Sequence, residues 1–354
     1  MDHMNDVSNT VSISLPDVLE FQSGLKVCNA AQWRTRRDEL TNQVLPTVYG
    51  VFPPLPASVR CIELHVATLR HLAQAKLGSY RVEVDGQHAF LLRVLVPGGV
   101  GPFPVILNGD ACWHYATDQV LDAILKRGCA FAQFNRVEVA ADNPGAAQTA
   151  HSAIAHWAWA YHRAVDALHQ LTFLEPRQIA VVGHSRGGKA ALLAGATDER
   201  VALTSANNSG AGGAGCFRWG AAGAETLADI VAAFPHWFGP GLKHYGGKEH
   251  ELPLDQHFLK ALIAPRALLT TEALGDVWAN PAGTWLTHLA ARRVYEFLGA
   301  GDQIATAYRE GGHDHSLADW LVLLDYCDAV FRGAPRPGII QIDPFPHLSQ
   351  KFQA

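Results

Sequence analysis

Val181-Val182-Gly183-His184-Ser185-Arg186-Gly187-Gly188-Lys189 is the stretch on which the reading turns. A β-rich run, Ile179 to Gly183, leads into it, and an Ala/Leu-rich run, Lys189 to Ala196, leads out. The first predicts a strand and the second a helix. Between them lies Gly-x-Ser-x-Gly at Gly183, Ser185 and Gly187. A strand that turns sharply into a helix lifts the middle hydroxyl above the sheet, with glycine where backbones meet too closely for a Cβ. The helix N-terminus then points unsatisfied N–H groups at the place where a reacting carbonyl oxygen gains charge. A chance glycine turn has the same bare pattern. The strand before it and the helix after it favour Ser185 as a nucleophile.

A serine hydroxyl needs a base to take its proton, and the base needs an orienting acid. In a strand–turn–helix fold of this kind the chain order is nucleophile, acid, histidine. A strand is predicted from Arg266 to Thr271, and Asp276 follows it in Glu272-Ala-Leu-Gly-Asp276-Val-Trp278. Asp276 is the candidate acid and Glu272 its rival; as a bland alternative, Asp276 is a turn or cap residue. The last strand is predicted from Ile304 to Tyr308, followed by Gly311-Gly312-His313-Asp314-His315. Either histidine fits the base, and either alone reads equally as a loop hydrogen-bonder.

Outward from these landmarks the chain alternates. Cys61 to Leu72, Tyr80 to Val84 and Ala89 to Val96 predict strands separated by turn residues, an antiparallel start to a sheet. Phe103 to Leu107, Cys129 to Phe134 and Arg200 to Ser205 predict further strands. Helices are predicted over Asp118 to Lys126, Ala147 to Leu171, Trp285 to Leu298 and Leu317 to Phe331. Strands alternating with helices imply a mostly parallel sheet covered on both faces. The expected fold class is α/β, an α/β-hydrolase three-layer sandwich. Residues 1–57 read as a proline-studded lead-in packed on the domain, with a short surface helix from Ala30 to Thr41. Residues 58–354 read as the catalytic domain, one domain overall.

The chain has 354 residues, 48% hydrophobic and 17% charged, an ordinary globular composition. A net charge of -5 and no basic stripe argue against a nucleic-acid partner. No apolar run reaches the roughly 18 residues a membrane span needs. The first residues, Met-Asp-His-Met-Asn-Asp-Val-Ser, show neither a positive nor an apolar leader region. The His3-Met4 pair is compatible with a cloning remnant, which leaves the compartment open. Six scattered cysteines form no Cys-x-x-Cys pair, so buried free thiols are expected, with a bridged secreted form as the alternative. His244, His250, His257 and Asp255 match no metal-ligand spacing, and no metal or cofactor is expected. Gly210-Ala-Gly-Gly213 lacks the Gly-Lys-Ser/Thr of a phosphate loop and reads as a tight loop under the site.

Gly183-His-Ser-Arg-Gly-Gly-Lys189-Ala-Ala-Leu resembles the elbow of the glucuronoyl esterases, carbohydrate esterase family fifteen, whose Ser-Arg-x-Gly-Lys is narrower than the general motif. The resemblance continues through Phe134-Asn-Arg136-Val-Glu138, Asn208-Ser-Gly-Ala-Gly-Gly-Ala214, Pro235-His-Trp-Phe238, Leu252-Pro-Leu-Asp-Gln-His257, Ile263-Ala-Pro-Arg266, Asp276-x-Trp278 and Gly312-His-Asp-His315. It covers about residues 15–331 and fits bacterial members. It implies a serine esterase of lignocellulose that cleaves glucuronic acid esters on xylan, with a glucuronoxylan-derived ester as partner and a monomeric state. It implies Ser185 as nucleophile and His315 as base, since fungal members use the second histidine of a similar His-x-His; His313 stays open. Arg186 would bind the oxyanion, and Lys189, Trp278 and Glu225 the sugar. Two departures matter. Fungal members place the acid where this chain has Asn208, which shifts that role to Asp276. A carboxylate just before Trp-Phe is missing; Ala233 and Phe234 stand near it. An acetyl-xylan or other small-acyl carbohydrate esterase is the nearer alternative. An inactive carbohydrate-binding relative is the alternative of another class.

Overall fold

The computed structural model describes residues 13–112, 116–145 and 150–352. The leader reading of the first residues and the predicted helix start at Ala147 lie outside them. One nine-stranded sheet organises the chain, in the order β1-β2-β3-β5-β4-β6-β7-β8-β9. Its strands are β1 (Val59–Leu69), β2 (Ala75–Val84), β3 (Gln87–Val96), β4 (Phe103–Asn108) and β5 (Ala130–Phe134). They continue with β6 (Leu174–His184), β7 (Leu203–Asn207), β8 (Ala267–Ala273) and β9 (Ile304–Arg309). β1 to β3 pair antiparallel, and β3 pairs antiparallel with β5. From β5 through β9 every pairing is parallel. This is the mostly parallel, helix-covered sheet of an α/β-hydrolase.

Side-chain alternation explains the layers. Successive residues of a strand face opposite sides. Val105, Leu107 and Val181 pack into one core with the helices Ala153–Leu168 and Arg186–Thr197. Ile106, Ala180 and Val182 pack into the other, against Ile124, Trp320 and Leu324 from the helices Asp118–Lys126 and Leu317–Arg332. Because both faces are covered, the central strands read as continuous apolar runs. The lead-in contributes Trp33, Leu40, Val48 and Tyr49 to the first of these cores. The helix Ala30–Glu39 is therefore only partly a surface helix: Trp33 and Arg36 are buried, and Arg36 Nε donates to Val18 O at 3.1 Å.

Capping sets the helix boundaries. The Thr117 side chain accepts from Val120 N and starts the helix that ends at Lys126. Ser316 and Asp319 form a reciprocal capping box at the start of Leu317–Arg332. The long helix runs from Ala153 to Leu168, and the Ser152 side chain caps its start. Ala150 and His151 ahead of it are committed elsewhere: Val51 N donates to Ala150 O at 2.9 Å, and Gly50 bridges His151. No helix among the described residues is long and apolar enough to cross a membrane. All six cysteines are unpaired; Cys129, Cys216 and Cys327 are buried and Cys28 is exposed.

Candidate active site

The elbow follows from close packing. Ser185, between β6 and the helix Arg186–Thr197, has φ +55° and ψ −121°, outside the regions a side chain normally prefers. Such strain persists only when the surroundings over-determine it. Here they do. A Cβ on Gly183 would lie 2.2 Å from Gly187 O, and one on Gly187 would lie 1.8 Å from Asp110 Oδ1. Asp110 is buried beneath the turn, accepts from His184 N at 2.8 Å and pairs with buried Arg136. Ser185 N donates to Asn207 O at 2.9 Å, tying the turn to β7.

Two loops bring the other groups in. Ser185 Oγ donates to His313 Nε2 at 2.9 Å, and His313 Nδ1–H donates to Asp276 Oδ2 at 2.6 Å. Asp276 is 7% exposed, so its charge is held close to the ring with little water between. The loops carrying acid and histidine are joined: Leu274 N donates to Arg309 O at 2.8 Å and Gly275 N to Gly311 O at 3.0 Å. A Cβ on Gly275 would sit 2.5 Å from Gly311 O, which accounts for glycine there.

His315 does not occupy the position that the resemblance implied for it. It is 7% exposed and stacks on Trp320 at 4.5 Å and on His184 at 5.8 Å. It sits one residue before the Ser316 cap, so the start of the last helix draws its ring in against Trp320. The bend at residues 311–313 instead carries His313 to the serine. His184 lies behind His313, with ring centroids 4.6 Å apart. Burial holds His184 below the usual imidazole range, and its Nδ1–H donates to Asn207 Oδ1 at 2.5 Å.

Glu272 does not reach either histidine through any hydrogen bond of its own. It is fully buried, accepts from Thr284 Oγ1 at 3.1 Å, and burial pushes its carboxyl up to about 8. Asn208 is a strut: its Nδ2 donates to Asp314 O at 3.0 Å and its Oδ1 accepts from Ala273 N at 2.8 Å.

The expected sugar contacts cluster nearby in different states. Trp278 is 56% exposed. Glu225 N donates to Trp278 O at 3.0 Å; burial pushes its carboxyl up, against the Lys189 charge and a side-chain hydrogen bond with Trp278. Lys189 is buried, and its Nζ donates to Ser209 O and Ala211 O, both at 2.5 Å. Burial pushes it down to about 8, opposed by the Glu225 charge. The glycine loop 210–213 is thus clamped by the elbow helix. Arg186 pairs with Asp142 at 2.5 Å and lies over the rings of Trp237 and Phe234 at 5.0 and 5.7 Å. Asp110, Arg136 and Asp142 carried no sequence signal of their own beyond the Phe134–Glu138 resemblance.

Among the described residues, His244, His250, His257 and Asp255 form no group that could hold a metal ion. His257 is buried and its Nε2–H donates to Pro16 O at 2.7 Å, Asp255 accepts from Phe217 N at 2.9 Å, and His244 and His250 are exposed.

The family model for fungal glucuronyl esterases matches residues 81–299, more than half of the chain. A 4-O-methyl-glucuronoyl methylesterase of Podospora anserina is 31% identical over 326 residues, 86% of this chain. The chain spans 64% of that protein's length. Among solved structures, a carbohydrate esterase family 15 glucuronoyl esterase from Caldicellulosiruptor kristjansonii superimposes with a TM-score of 0.82 at 30% identity, covering 94% of each chain. A glucuronoyl esterase variant from Sporotrichum thermophile, in complex with methyl 4-O-methyl-β-D-glucopyranuronate, superimposes with a TM-score of 0.74 at 26% identity over 96% of each chain. On fold and sequence together, the chain belongs to the glucuronoyl esterases of carbohydrate esterase family fifteen.

Proposed function

We propose that this chain is a serine carboxylic-ester hydrolase that cleaves esters of 4-O-methyl-glucuronic or glucuronic acid, with Ser185, His313 and Asp276 as its triad. The observation that carries the reading is the single imidazole that touches both the hydroxyl and the carboxylate. His313 Nε2 takes the Ser185 proton as Oγ attacks the ester carbonyl carbon. The Asp276 carboxylate keeps the proton on Nδ1 and stabilises the imidazolium that forms. The oxyanion gathers charge beside the helix N-terminus and Arg186, whose delocalised cation suits a diffuse negative oxygen. The C–O bond to the alcohol breaks, and His313 returns the proton to the leaving oxygen. Water then attacks the acyl enzyme, with His313 again accepting its proton; the bond to Ser185 Oγ breaks, His313 returns the proton to Oγ, and the uronate leaves.

The substrate assignment rests on the relatives' named activity and on the complex of the Sporotrichum enzyme. Trp278 offers an open ring to a sugar face, and Glu225 an acceptor for ring hydroxyls. Lys189 spends two of its three N–H donors on carbonyls, so one remains for a ligand oxygen. A panel of benzyl glucuronate, methyl 4-O-methyl-glucuronate and acetyl-xylan tests this. Turnover of the uronates, abolished by Ser185→Ala, is expected. Turnover of acetyl-xylan alone overturns the substrate assignment and leaves the esterase chemistry standing.

A further inference from the structure

Asp142 lies in the loop after β5, far in sequence from the elbow. Both its oxygens are engaged. Oδ1 accepts from His236 Nε2–H at 2.8 Å and from Trp237 Nε1–H at 2.7 Å; Oδ2 accepts from Arg186 Nη1 at 2.5 Å. Its side chain is 15% exposed. Burial alone raises such a carboxyl, yet the hydrogen bonds from Trp237, Arg186 and His236 outweigh it and hold the group ionised.

The second half of the arrangement is aromatic. Trp237 and Phe234 stack with planes 5° apart and centroids 3.9 Å apart. The Arg186 guanidinium lies over both rings, a cation–π arrangement. The carboxylate that grips the guanidinium edge also grips the indole beneath it. The cation next in sequence to the nucleophile is therefore fixed from the side and from below by one acid. A guanidinium carries five N–H donors. Only Nη1 is used by protein among the described residues, which leaves the others for an anion.

We propose that Asp142 is a positioning residue for ester hydrolysis, holding Arg186 in one orientation on the Trp237–Phe234 platform so that its remaining donors meet the oxyanion. This rests on the reading above that Arg186 serves the oxyanion. A loose arginine would have to be immobilised during reaction; one already immobilised acts without that cost, the general advantage of preorganised donors. The role belongs to kcat, because the charge that the donors meet appears only in the transition state.

The experiment is a double-mutant cycle on benzyl glucuronate with Asp142→Ala and Arg186→Ala, plus Asp142→Asn, with thermal melts throughout. Arg186→Ala is expected to lower kcat about 100-fold, the typical loss of one oxyanion donor. Asp142→Ala should lower kcat roughly ten- to thirtyfold with KM nearly unchanged, as expected when an interaction made only in the transition state is weakened. Asp142→Asn, which keeps an acceptor oxygen, should recover part of the loss. Asp142→Ala added to Arg186→Ala should cost little more, since its target is gone. Full kcat in Asp142→Ala overturns the proposal while leaving the Arg186 reading intact. An equal loss with and without Arg186, accompanied by a lower melting temperature, also overturns it and assigns Asp142 to support of His236 and Trp237. Unchanged kcat in Arg186→Ala sinks the oxyanion reading itself, a result distinguishable from the other two.

Discussion

His313 and His315 stand two residues apart, and alanine at each should have opposite consequences. His313 makes both links of the proposed triad, at 2.9 Å to Ser185 Oγ and 2.6 Å to Asp276. His313→Ala therefore severs both at once and leaves the hydroxyl without a base. Losing such a base costs on the order of 10⁴–10⁶ in kcat, or about 5–8 kcal/mol of barrier. The ring is 44% exposed, so its removal opens no sealed cavity and the melting temperature should barely move. His315 is the reverse case. Its ring is packed between Trp320 and His184, and truncation leaves a void costing about 2–4 kcal/mol of stability by analogy with other large-to-small core changes. His315→Ala should melt several degrees lower while retaining kcat within about tenfold, because it touches neither reacting atom. Steady-state turnover of benzyl glucuronate, fluorophosphonate labelling of Ser185 and thermal melts distinguish the two. The assignment would be refuted by a His315→Ala enzyme that melts normally and is as inactive as His313→Ala.

Asp276→Asn should lower kcat by about 10⁴, since the imidazolium loses its counter-charge and the ring its tautomer; Asn208→Ala should act mainly on melting temperature, because its amide braces backbone at Ala273 and Asp314. Lys189→Met should raise KM for methyl glucuronate about tenfold, the value of a lost hydrogen bond to a charged group, and leave KM for p-nitrophenyl acetate nearly unchanged; an equal effect on both would confine Lys189 to clamping the 209–211 carbonyls. Glu272 has its carboxyl raised from 4.5 to about 8 by burial, so the folded chain binds a proton there that the unfolded chain has lost. That contribution to stability is fully present below 4.5 and is lost as pH rises toward about 8. Melting curves should therefore show Glu272→Gln gaining on the wild type as pH rises through this window, and a pH-independent difference would contradict the buried-acid description.

The elements were legible because each has a local cause. Thr117 caps the helix to Lys126, and the sequence boundaries match it to the residue. The central strands are short apolar runs bounded by turns, and Gly183 and Gly187 announce the elbow because only glycine fits their contacts. What escaped the sequence depends on distant partners. The start of the long helix at Ala153, behind its Ser152 cap, follows a pairing of His151 with Gly50, about a hundred positions away. Asp276 and Glu272 look alike in sequence and both are buried; their partners separate them, since Glu272 lies within β8 and accepts from Thr284 while Asp276 accepts from His313. The choice between His313 and His315 depends on the path of a loop bonded to residues 274 and 275, whereas the resemblance pointed to the second histidine. Asp142 converges with Arg186, His236 and Trp237 only in three dimensions.

The paired backbone at Leu274–Gly275 and Arg309–Gly311 has a mechanical consequence. It makes acid and base a single rigid carriage, since the segments that carry them are hydrogen-bonded to each other and nest where a Cβ would not fit. The serine rides on a different one, the β6 turn braced by Asn207 and Asp110. Thermal breathing of this site should therefore lengthen the Ser185–His313 distance before the His313–Asp276 distance. Warming a resting enzyme should idle the nucleophile while the imidazole keeps its tautomer. In amide exchange, Leu274 and Gly275 should open together, as one unit, at a different free energy from Ser185.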